Sequence, residues 1–333
     1  MKRLAITLGD PAGIGPEVVA RALSALPADA GAIICGPADI FMALVFKHGR
    51  GAAAKSVVHA PVVEDWRAVQ ASRSRFVLID TPEYSLEDLR WGISGAKEGR
   101  AAWHALEQGL ALALADPRIA LVTAPVSKAS LLAAGFKHPG HTDFLAERTG
   151  ARAVMMLQAG ELRVVPVTAH LPLAAVPAAL SAELIVETLA VLDRELKLKY
   201  RLRRPRLAVS ALNPHGGESG TMGGEEEAVI APAVARARAR GIDAAGPFPA
   251  DSLFTPARRK TFDVAVCMYH DQALIPLKMV GFDRGVNVTL GLPIVRVSPA
   301  HGAAFDIAGQ GVARATSMKA AIALALQLTG TKR

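Results

Sequence analysis

Three histidines each follow an apolar segment that has the pattern of a buried strand. The segments and their histidines are 162–169 with His170, 207–214 with His215, and 262–269 with His270. The carboxyl ends of strands in an open α/β sheet share one edge, and ligands bind along that edge. We therefore expect the three imidazoles to converge on one point. Three neutral imidazoles that leave a fourth position open are typical of a catalytic divalent-metal site.

Two alternative roles for these histidines remain open. A zinc lyase or hydrolase would use the three imidazoles without a nucleotide, and would then bind no dinucleotide even with metal present. A non-catalytic protein would use them only as capping or hydrogen-bonding residues at strand ends. Such a structural role predicts that His170→Ala lowers thermal stability and that no substrate is turned over.

The composition favours a reduced, helix-covered α/β enzyme. Hydrophobic residues make up 51% of the 333 residues but aromatic residues only 5%, which indicates aliphatic packing and argues against disorder. The net charge is +8, yet the arginine clusters lie in a connector (201–206) and at a helix end (235–240), so we expect no nucleic-acid partner. Cys35 and Cys267 lie in apolar runs, and no disulfide framework is expected.

No membrane span is expected, and we predict a cytoplasmic enzyme. The first apolar run is broken at Gly9-Asp10-Pro11, too early for a signal sequence, and the most apolar later stretch is cut at Asp116-Pro117-Arg118.

Short apolar runs alternate with helical patterns, which predicts βαβ units and a mostly parallel sheet. The expected strand and helix pairs are 4–8 with 16–26, 32–35 with 39–47, 76–79 with 94–115, and 119–123 with 128–134. A glycine-rich segment, 213–224, precedes Glu225, Glu226 and Glu227, which favour the amino end of the following helix. We interpret that segment as a flexible or ligand-hugging loop around His215.

Three further segments carry polar groups suited to anions or nucleotides. Thr142 is placed to cap the helix after Gly140-His141, where backbone N–H groups and an imidazole suit an anion. Basic side chains after His270 suit a phosphate or carboxylate, in a segment rich in turns: Lys278, Arg284, Asn287 and Arg296. In the loop from His301 to Gly311, glycines allow a planar ring to approach the backbone, and Asp306 is a candidate acceptor for ribose hydroxyls.

Ordered motifs along nearly the whole chain resemble the 4-hydroxythreonine-4-phosphate dehydrogenase family of pyridoxal phosphate biosynthesis. The motifs are Gly-Asp-Pro-Ala-Gly-Ile-Gly-Pro-Glu (9–17), Thr-Ala-Pro-Val-Ser-Lys (123–128), Gly-His-Thr (140–142), Ala-His-Leu-Pro (169–172), Leu-Asn-Pro-His (212–215), Pro-Ala-Asp-Ser-Leu-Phe (249–254), Met-Tyr-His-Asp-Gln (268–272) and Asn-Val-Thr-Leu-Gly-Leu-Pro (287–293). The first motif and the 301–309 loop also resemble the wider isocitrate and isopropylmalate dehydrogenase group.

The resemblance implies roles for particular residues. The metal ligands would be His170, His215 and His270, with the third donated across the interface of a homodimer that shares its active site. Further implied positions are substrate-binding His141, Thr142, Lys278, Asn287 and Arg296, an acidic group near the site, Asp251, and cofactor-binding His301, Gly302, Asp306 and Gly309. The implied cofactors are NAD or NADP and a divalent metal: zinc, cobalt or magnesium.

The resemblance also implies the fold and the reaction. We expect a two-lobed α/β/α fold of the isocitrate/isopropylmalate dehydrogenase type, with mostly parallel sheets and a cleft between lobes at 1–130 plus 275–333 and 131–274. The implied activity is oxidation of 4-phosphooxy-L-threonine to a β-keto acid, which decarboxylates to 3-amino-2-oxopropyl phosphate on the route to pyridoxine 5'-phosphate.

Departures from the family pattern leave a rival substrate class open. Val297, Ala300 and Ala303 stand where threonine, aspartate and threonine are expected, Asp143 replaces glutamate, and Gly216 replaces alanine. Each change removes or alters a polar group near the expected substrate or cofactor. A paralogous dehydrogenase of another phosphorylated four-carbon hydroxy acid, or of an aromatic cis-dihydrodiol, is therefore the alternative.

Overall fold

A computed structural model describes residues 2–329, except for the side chain of Gln70. The strands are β1 (Lys2–Thr7), β2 (Ala30–Cys35), β3 (Val62–Val63), β4 (Phe76–Ile79), β5 (Ile119–Thr123), β6 (Val154–Ala159), β7 (Leu162–Pro166), β8 (Leu207–Ser210), β9 (Ala244–Phe248), β10 (Val264–Cys267), β11 (Val286–Leu290) and β12 (Arg296–Pro299). The α-helices are α1 (Gly15–Ala22), α2 (Ala38–His48), α3 (Gly51–Val57), α4 (Trp66–Ala71), α5 (Ala96–Ala115), α6 (Lys128–Ala133), α7 (His141–Thr149), α8 (Val176–Ala179), α9 (Ala182–Lys199), α10 (Ala231–Ala239), α11 (Ala250–Leu253), α12 (Pro256–Arg259), α13 (His270–Gly281) and α14 (Thr316–Thr329).

The described residues form two compact units. One contains the chain up to Ala153 and again from Leu292, and the other runs from Val154 to Gly291. These limits differ from the expected lobes, 1–130 plus 275–333 and 131–274, of which residues 1 and 330–333 lie outside the described residues. The first unit extends past residue 130 because Phe136, Phe144 and Leu145 belong to its apolar core. A cleft between lobes stays a prediction.

The strands of the first unit are all parallel, in the order β3-β4-β2-β1-β5-β12. Every residue of β2 and β5 is buried, as expected for strands covered on both faces. In the first turn of α5, the Glu98 carboxylate accepts a hydrogen bond from the Gly95 backbone N–H, and the buried face of the helix joins the core. This unit therefore has the aliphatic core that the composition predicts.

The second unit has a mixed sheet in the order β11-β6-β7-β10-β8-β9. Its parallel part is β7-β10-β8-β9, and β6 pairs antiparallel with both β7 and β11. The side chains of Leu157, Val164, Ala265 and Leu277 lie in one buried cluster beneath this sheet. The α/β class with mostly parallel strands is confirmed.

Two local predictions are wrong. Helix α13 occupies a segment for which we expected turns, because its apolar side chains Ala273 and Leu277 pack into the core despite Pro276. Helix α7 begins at His141 with Gly140 at the capping position, so Thr142 lies inside the first turn and does not cap the helix.

No single helix among residues 2–329 is both long and apolar enough to cross a bilayer. The segments 173–179 and 182–199 satisfy length and composition only as a pair bent by 88°. The longer of the two, α9, buries Ile185, Leu189 and Leu192 inside the second unit.

Candidate active site

The three predicted histidines follow the carboxyl ends of three neighbouring parallel strands. His170 follows β7, His270 follows β10 and His215 follows β8, and β10 lies between the other two. The sequence indicates that each run is a strand but does not give the strand order. The observed order places all three histidines along one edge of the second unit, which is where α/β sheets bind ligands.

His170 and His270 lie close together, with ring centroids 6.0 Å apart. A metal–nitrogen bond is about 2.1 Å, so two imidazoles on one ion have centroids roughly 5–6 Å apart. The Thr168 hydroxyl donates to the Met268 carbonyl at 2.7 Å and joins the two loops. A cavity of about 230 Å³ opens beside both rings, between Thr168 and Tyr269. This pair fits a shared divalent cation.

A neighbouring carboxylate orients the ring of His270. Its Nδ1 lies 2.6 Å from Asp271 Oδ1, so a proton on Nδ1 is donated to the carboxylate and the lone pair is on Nε2. An imidazole that binds a metal through one nitrogen and a carboxylate through the other is held in a single tautomer. The contact with Asp271 therefore occupies Nδ1 of His270 and leaves Nε2 as the nitrogen that a cation would bind.

His215 lies on an exposed loop with an unusual backbone. Its φ is +53°, in the left-handed region, as is that of His170 at +56°. Strained conformations of non-glycine residues cluster at functional sites. Within residues 2–329 of the single chain, no three His, Cys, Asp or Glu side chains are grouped so that they could hold a metal ion. The complete trio of imidazoles thus stays a prediction, as does the contribution of a second subunit.

A buried arginine and a buried, neutral histidine lie at the predicted anion site of the first unit. Arg296 and His141 are both buried, and Arg296 Nη2 donates to Thr123 Oγ1 at 2.7 Å. Burial lowers the pKa of Arg296 to about 10, so the guanidinium stays charged at neutral pH. Burial and the Arg296 charge lower the pKa of His141 to about 3, and its Nε2 has no hydrogen-bond partner. A buried cation beside an imidazole with an unused nitrogen suits an anionic ligand.

The depressed pKa of His141 predicts acid-sensitive folding. The ordinary histidine pKa is 6.5, so below that pH the unfolded chain binds a proton that the folded chain excludes. Stability contributed by the neutral ring is complete above pH 6.5 and is lost as the pH falls toward 3, by about 1.4 kcal/mol per pH unit. Urea unfolding at pH 6 and pH 4 should show a steeper loss for the wild type than for His141→Gln. Equal losses would contradict the buried, neutral ring.

The remaining predicted substrate residues lie on three different elements. Thr142 lies in the first turn of α7, exposed Lys278 lies on α13, and Asn287 lies in β11 opposite Leu157. The Oδ1 atom of Asn287 is buried without a hydrogen-bond partner. Asp251 is exposed in α11, where its carboxylate accepts the Ser252 backbone N–H at 2.8 Å. The Lys278 ammonium and the Asp251 carboxylate are thus exposed to solvent, and Asn287 has an unused hydrogen-bond acceptor.

The predicted cofactor loop of the first unit has open backbone and a solvent-facing carboxylate. A Cβ atom at Gly302 would meet nothing within 4 Å, so a ring has room to approach there. Asp306 is exposed in a short 3₁₀ turn, and the buried Nε2 of His301 has no hydrogen-bond partner. A Cβ atom at Gly309 would lie 2.4 Å from Trp91, so glycine allows the loop to pack closely against that ring. Nucleotide binding by the loop stays a prediction.

Helix α1 fixes the far end of this loop, a feature that the sequence did not predict. Arg21 Nη2 donates to the Gly311 carbonyl at 2.5 Å, and Arg21 Nε pairs with Glu17 at 2.9 Å. The buried Glu17 carboxylate also accepts the Ala313 backbone N–H. The spacing of Glu17 and Arg21, one helical turn apart, was a signal for the ion pair but not for its contact with the loop.

The family model for the pyridoxal phosphate biosynthetic protein PdxA matches residues 33–325. The chain belongs to the PdxA family. The 4-hydroxythreonine-4-phosphate dehydrogenase of Caulobacter vibrioides is 45% identical, over 99% of this chain and 98% of the relative. A crystal structure of 4-hydroxythreonine-4-phosphate dehydrogenase from Klebsiella pneumoniae is 37% identical with a TM-score of 0.84, covering 99% of this chain and all of that one.

Isocitrate dehydrogenase from Methylococcus capsulatus shares the fold of this PdxA-family chain, with a TM-score of 0.52 and 14% identity over 99% of this chain and 86% of that one. The isocitrate dehydrogenase-like fold class is therefore confirmed.

Two positions depart from the pattern expected of the PdxA family, Val297 and Ala303. Val297 is fully buried in β12, and the Ala303 carbonyl accepts the Ile14 backbone N–H at 2.9 Å. The first glycine-rich motif thus packs against the predicted cofactor loop.

Proposed function

We propose that this PdxA-family protein is a metal-dependent, NAD(P)-linked dehydrogenase that oxidises 4-phosphooxy-L-threonine. The product would be a β-keto acid that loses carbon dioxide to give 3-amino-2-oxopropyl phosphate. The observation that carries the proposal is the placement of His170, His270 and His215 after three neighbouring strands, in a chain that matches dehydrogenases of this substrate along its full length.

The three imidazoles would hold the divalent cation, with zinc, cobalt and magnesium as candidates. When bound, the cation supplies positive charge that lowers the pKa of the substrate's secondary hydroxyl and polarises the carbonyl that replaces it. Two contacts support this role: the His170 and His270 ring centroids lie 6.0 Å apart, and His270 Nδ1 lies 2.6 Å from Asp271 Oδ1. This arrangement reduces the reorganisation needed for binding.

Five polar side chains are proposed to bind the substrate. The Arg296 guanidinium can form two parallel hydrogen bonds with a phosphate or carboxylate, and neutral His141 can donate or accept through its unused Nε2. Lys278 and Asn287 are proposed as further partners, together with Thr142. Acidic Asp251 is proposed near the site as a proton acceptor.

The loop 301–311 would bind the dinucleotide, which accepts the hydride. Gly302 leaves space beside the backbone, and the exposed Asp306 carboxylate suits a ribose hydroxyl. The Glu17–Arg21 pair keeps the end of the loop in place.

A homodimer is proposed because apolar side chains lie exposed along α13, which begins at His270, and beside the cavity of the histidine pair. On and after α13, Met279 is 84% and Phe282 is 72% exposed, and Leu173, which lines the cavity beside His170, is 67% exposed. A second copy of this chain would cover these side chains and could contribute the third imidazole. Both cysteines are free and buried, which fits a reducing compartment, so we place the dimer in the cytoplasm.

Phe282→Lys is expected to convert the dimer to a monomer and to lower activity at least tenfold, because a lysine at the interface would have to be desolvated without a partner. Light scattering after size exclusion measures the mass. Phe46→Lys is the matched control, since Phe46 is also 72% exposed but lies on α2 of the first unit. A dimer mass for both variants would show that Phe282 is not part of the interface.

Initial rates of NADH or NADPH formation test the reaction. The protein is assayed with each metal and with 4-phosphooxy-L-threonine, erythronate phosphate and an aromatic cis-dihydrodiol. We expect turnover with the first substrate to exceed the other two. If 4-phosphooxy-L-threonine is not turned over and another of the three compounds is, that compound replaces the proposed substrate.

A further inference from the structure

The loop that carries His215 is strained along its whole length. Six consecutive residues have positive φ: His215, Gly216, Gly217, Glu218, Ser219 and Gly220. Three of these residues are not glycine, and L-residues disfavour the left-handed region. Strained backbone persists only where surrounding contacts over-determine it. Some other part of the molecule must therefore fix this loop.

The carboxylate of Glu226 provides those contacts. Its Oε1 accepts the backbone N–H groups of Leu212 and Asn213, both at 2.8 Å, and its Oε2 accepts Asn213 Nδ2 at 2.9 Å. The residue is only 4% exposed. A Cβ atom at Gly217 would lie 2.6 Å from Glu226 Oε2, so the carboxylate also packs directly against the loop on the far side of His215.

The two neighbouring glutamates do not share this role. Glu225 accepts one hydrogen bond, from Asn213 Nδ2 at 2.8 Å, and Glu227 is exposed. Glu226 begins a π-helical turn, 226–230, that leads into α10. Such turns are rare and occur often at functional sites. Here the turn presents the carboxylate to the loop from a rigid helix.

We propose that Glu226 is a positioning residue that holds the strained His215 loop in the conformation that binds a divalent cation. The inference rests on the proposed function, because it takes His215 as a metal ligand. Glu226 would act through the backbone on both sides of His215 and would not touch the cation. Outer partners of metal ligands typically contribute 10–100-fold to metal affinity.

Glu226→Gln tests this role, with Glu227→Gln as the matched control. The glutamine oxygen can still accept the backbone N–H groups of Leu212 and Asn213, but an NH2 donor replaces Oε2, which accepts Asn213 Nδ2 and lies against Gly217. The loop therefore loses this contact while the side chain keeps its shape. We expect cobalt and zinc affinity, measured by calorimetry, to fall about 10–100-fold in Glu226→Gln and to stay at the wild-type value in Glu227→Gln.

Hydrogen exchange of the dimer without metal gives a second readout. The backbone N–H groups of Gly216, Gly220 and Met222 donate within the loop, so their exchange should accelerate in Glu226→Gln and not in Glu227→Gln. Asn213→Ala removes the side-chain hydrogen bonds to Glu225 and Glu226 and keeps the two backbone bonds, so it should change both measurements in the same direction. It serves as the test variant if Glu226→Gln does not fold.

The outcomes separate this inference from the proposed function. A wild-type protein that binds neither metal would overturn the proposed metal site and, with it, the role of Glu226. Metal binding by the wild type with unchanged affinity and exchange in Glu226→Gln would overturn the role of Glu226 alone. Weaker binding with faster exchange, restricted to the Glu226 and Asn213 variants, would support it.

Discussion

His170→Ala should abolish tight binding of the divalent cation and lower kcat by roughly 100-fold or more, since even loss of an outer partner costs about 10–100-fold. His170 lies 6.0 Å from His270 between ring centroids, so its removal leaves one imidazole of the observed pair. The side chain is exposed, and alanine at a φ of +56° is strained to a similar degree. We therefore expect little change in thermal stability. Calorimetric titration with zinc and initial rates provide the measurements.

The control for this variant is His59→Ala, which removes another exposed imidazole from the first unit. It should leave metal affinity and rate unchanged. A structural role for His170 would be supported by two results together. The thermal midpoint of His170→Ala would fall, and the wild type would show neither metal binding nor turnover. Turnover that persists in His170→Ala at the wild-type rate would remove His170 from the metal site.

Periodicity and strand length predicted most of the fold because the strands are short, apolar and regularly separated by helices. The predicted ranges 76–79 and 119–123 coincide with β4 and β5. The sequence did not predict the order β7-β10-β8, since strand neighbours depend on long-range pairing. That order is what places His270 between His170 and His215 along the sheet edge.

Helix α13 shows where local signals mislead. Proline inside a helix normally kinks or ends it, and α13 contains Pro276. The helix forms because Ala273 and Leu277 are buried and because Gln272 connects two strand ends. Its Oε1 accepts the Met268 backbone N–H and its Nε2 donates to the Ala211 carbonyl, both at 2.7 Å. Tertiary packing and this bridge outweigh the local preference of proline.

The supporting contacts of the site could not be predicted from the sequence for a similar reason. Three consecutive glutamates have the pattern of charges that favour a helix terminus, yet only Glu226 of the three is buried and accepts the backbone N–H groups of Leu212 and Asn213. Which of the three faces the loop depends on the π-helical turn, and that turn has no local sequence signal. The Glu17–Arg21 contact with Gly311 likewise joins segments 290 residues apart.

Arg296→Met is expected to raise the KM for the phosphorylated substrate by about 100–1,000-fold, since each hydrogen bond to a charged group contributes roughly 1.5–3 kcal/mol. Arg296 is 4% exposed, and the pKa of about 10 keeps it charged under assay conditions. Arg296→Met also removes the hydrogen bond to Thr123 Oγ1, which leaves a buried hydroxyl without this partner. The thermal midpoint should therefore fall modestly, and KM is measured at a temperature at which the variant stays folded.

Two companion variants show which property of Arg296 matters. Arg296→Lys keeps the charge but loses the planar fork, so its KM should lie between those of the wild type and Arg296→Met. Arg118→Met removes an exposed arginine of the same unit, whose partner is Asp116, and should leave KM unchanged. Inhibition by inorganic phosphate should weaken in parallel with KM, because the same guanidinium would bind it. A normal KM and normal phosphate inhibition in Arg296→Met would assign the phosphate to other residues.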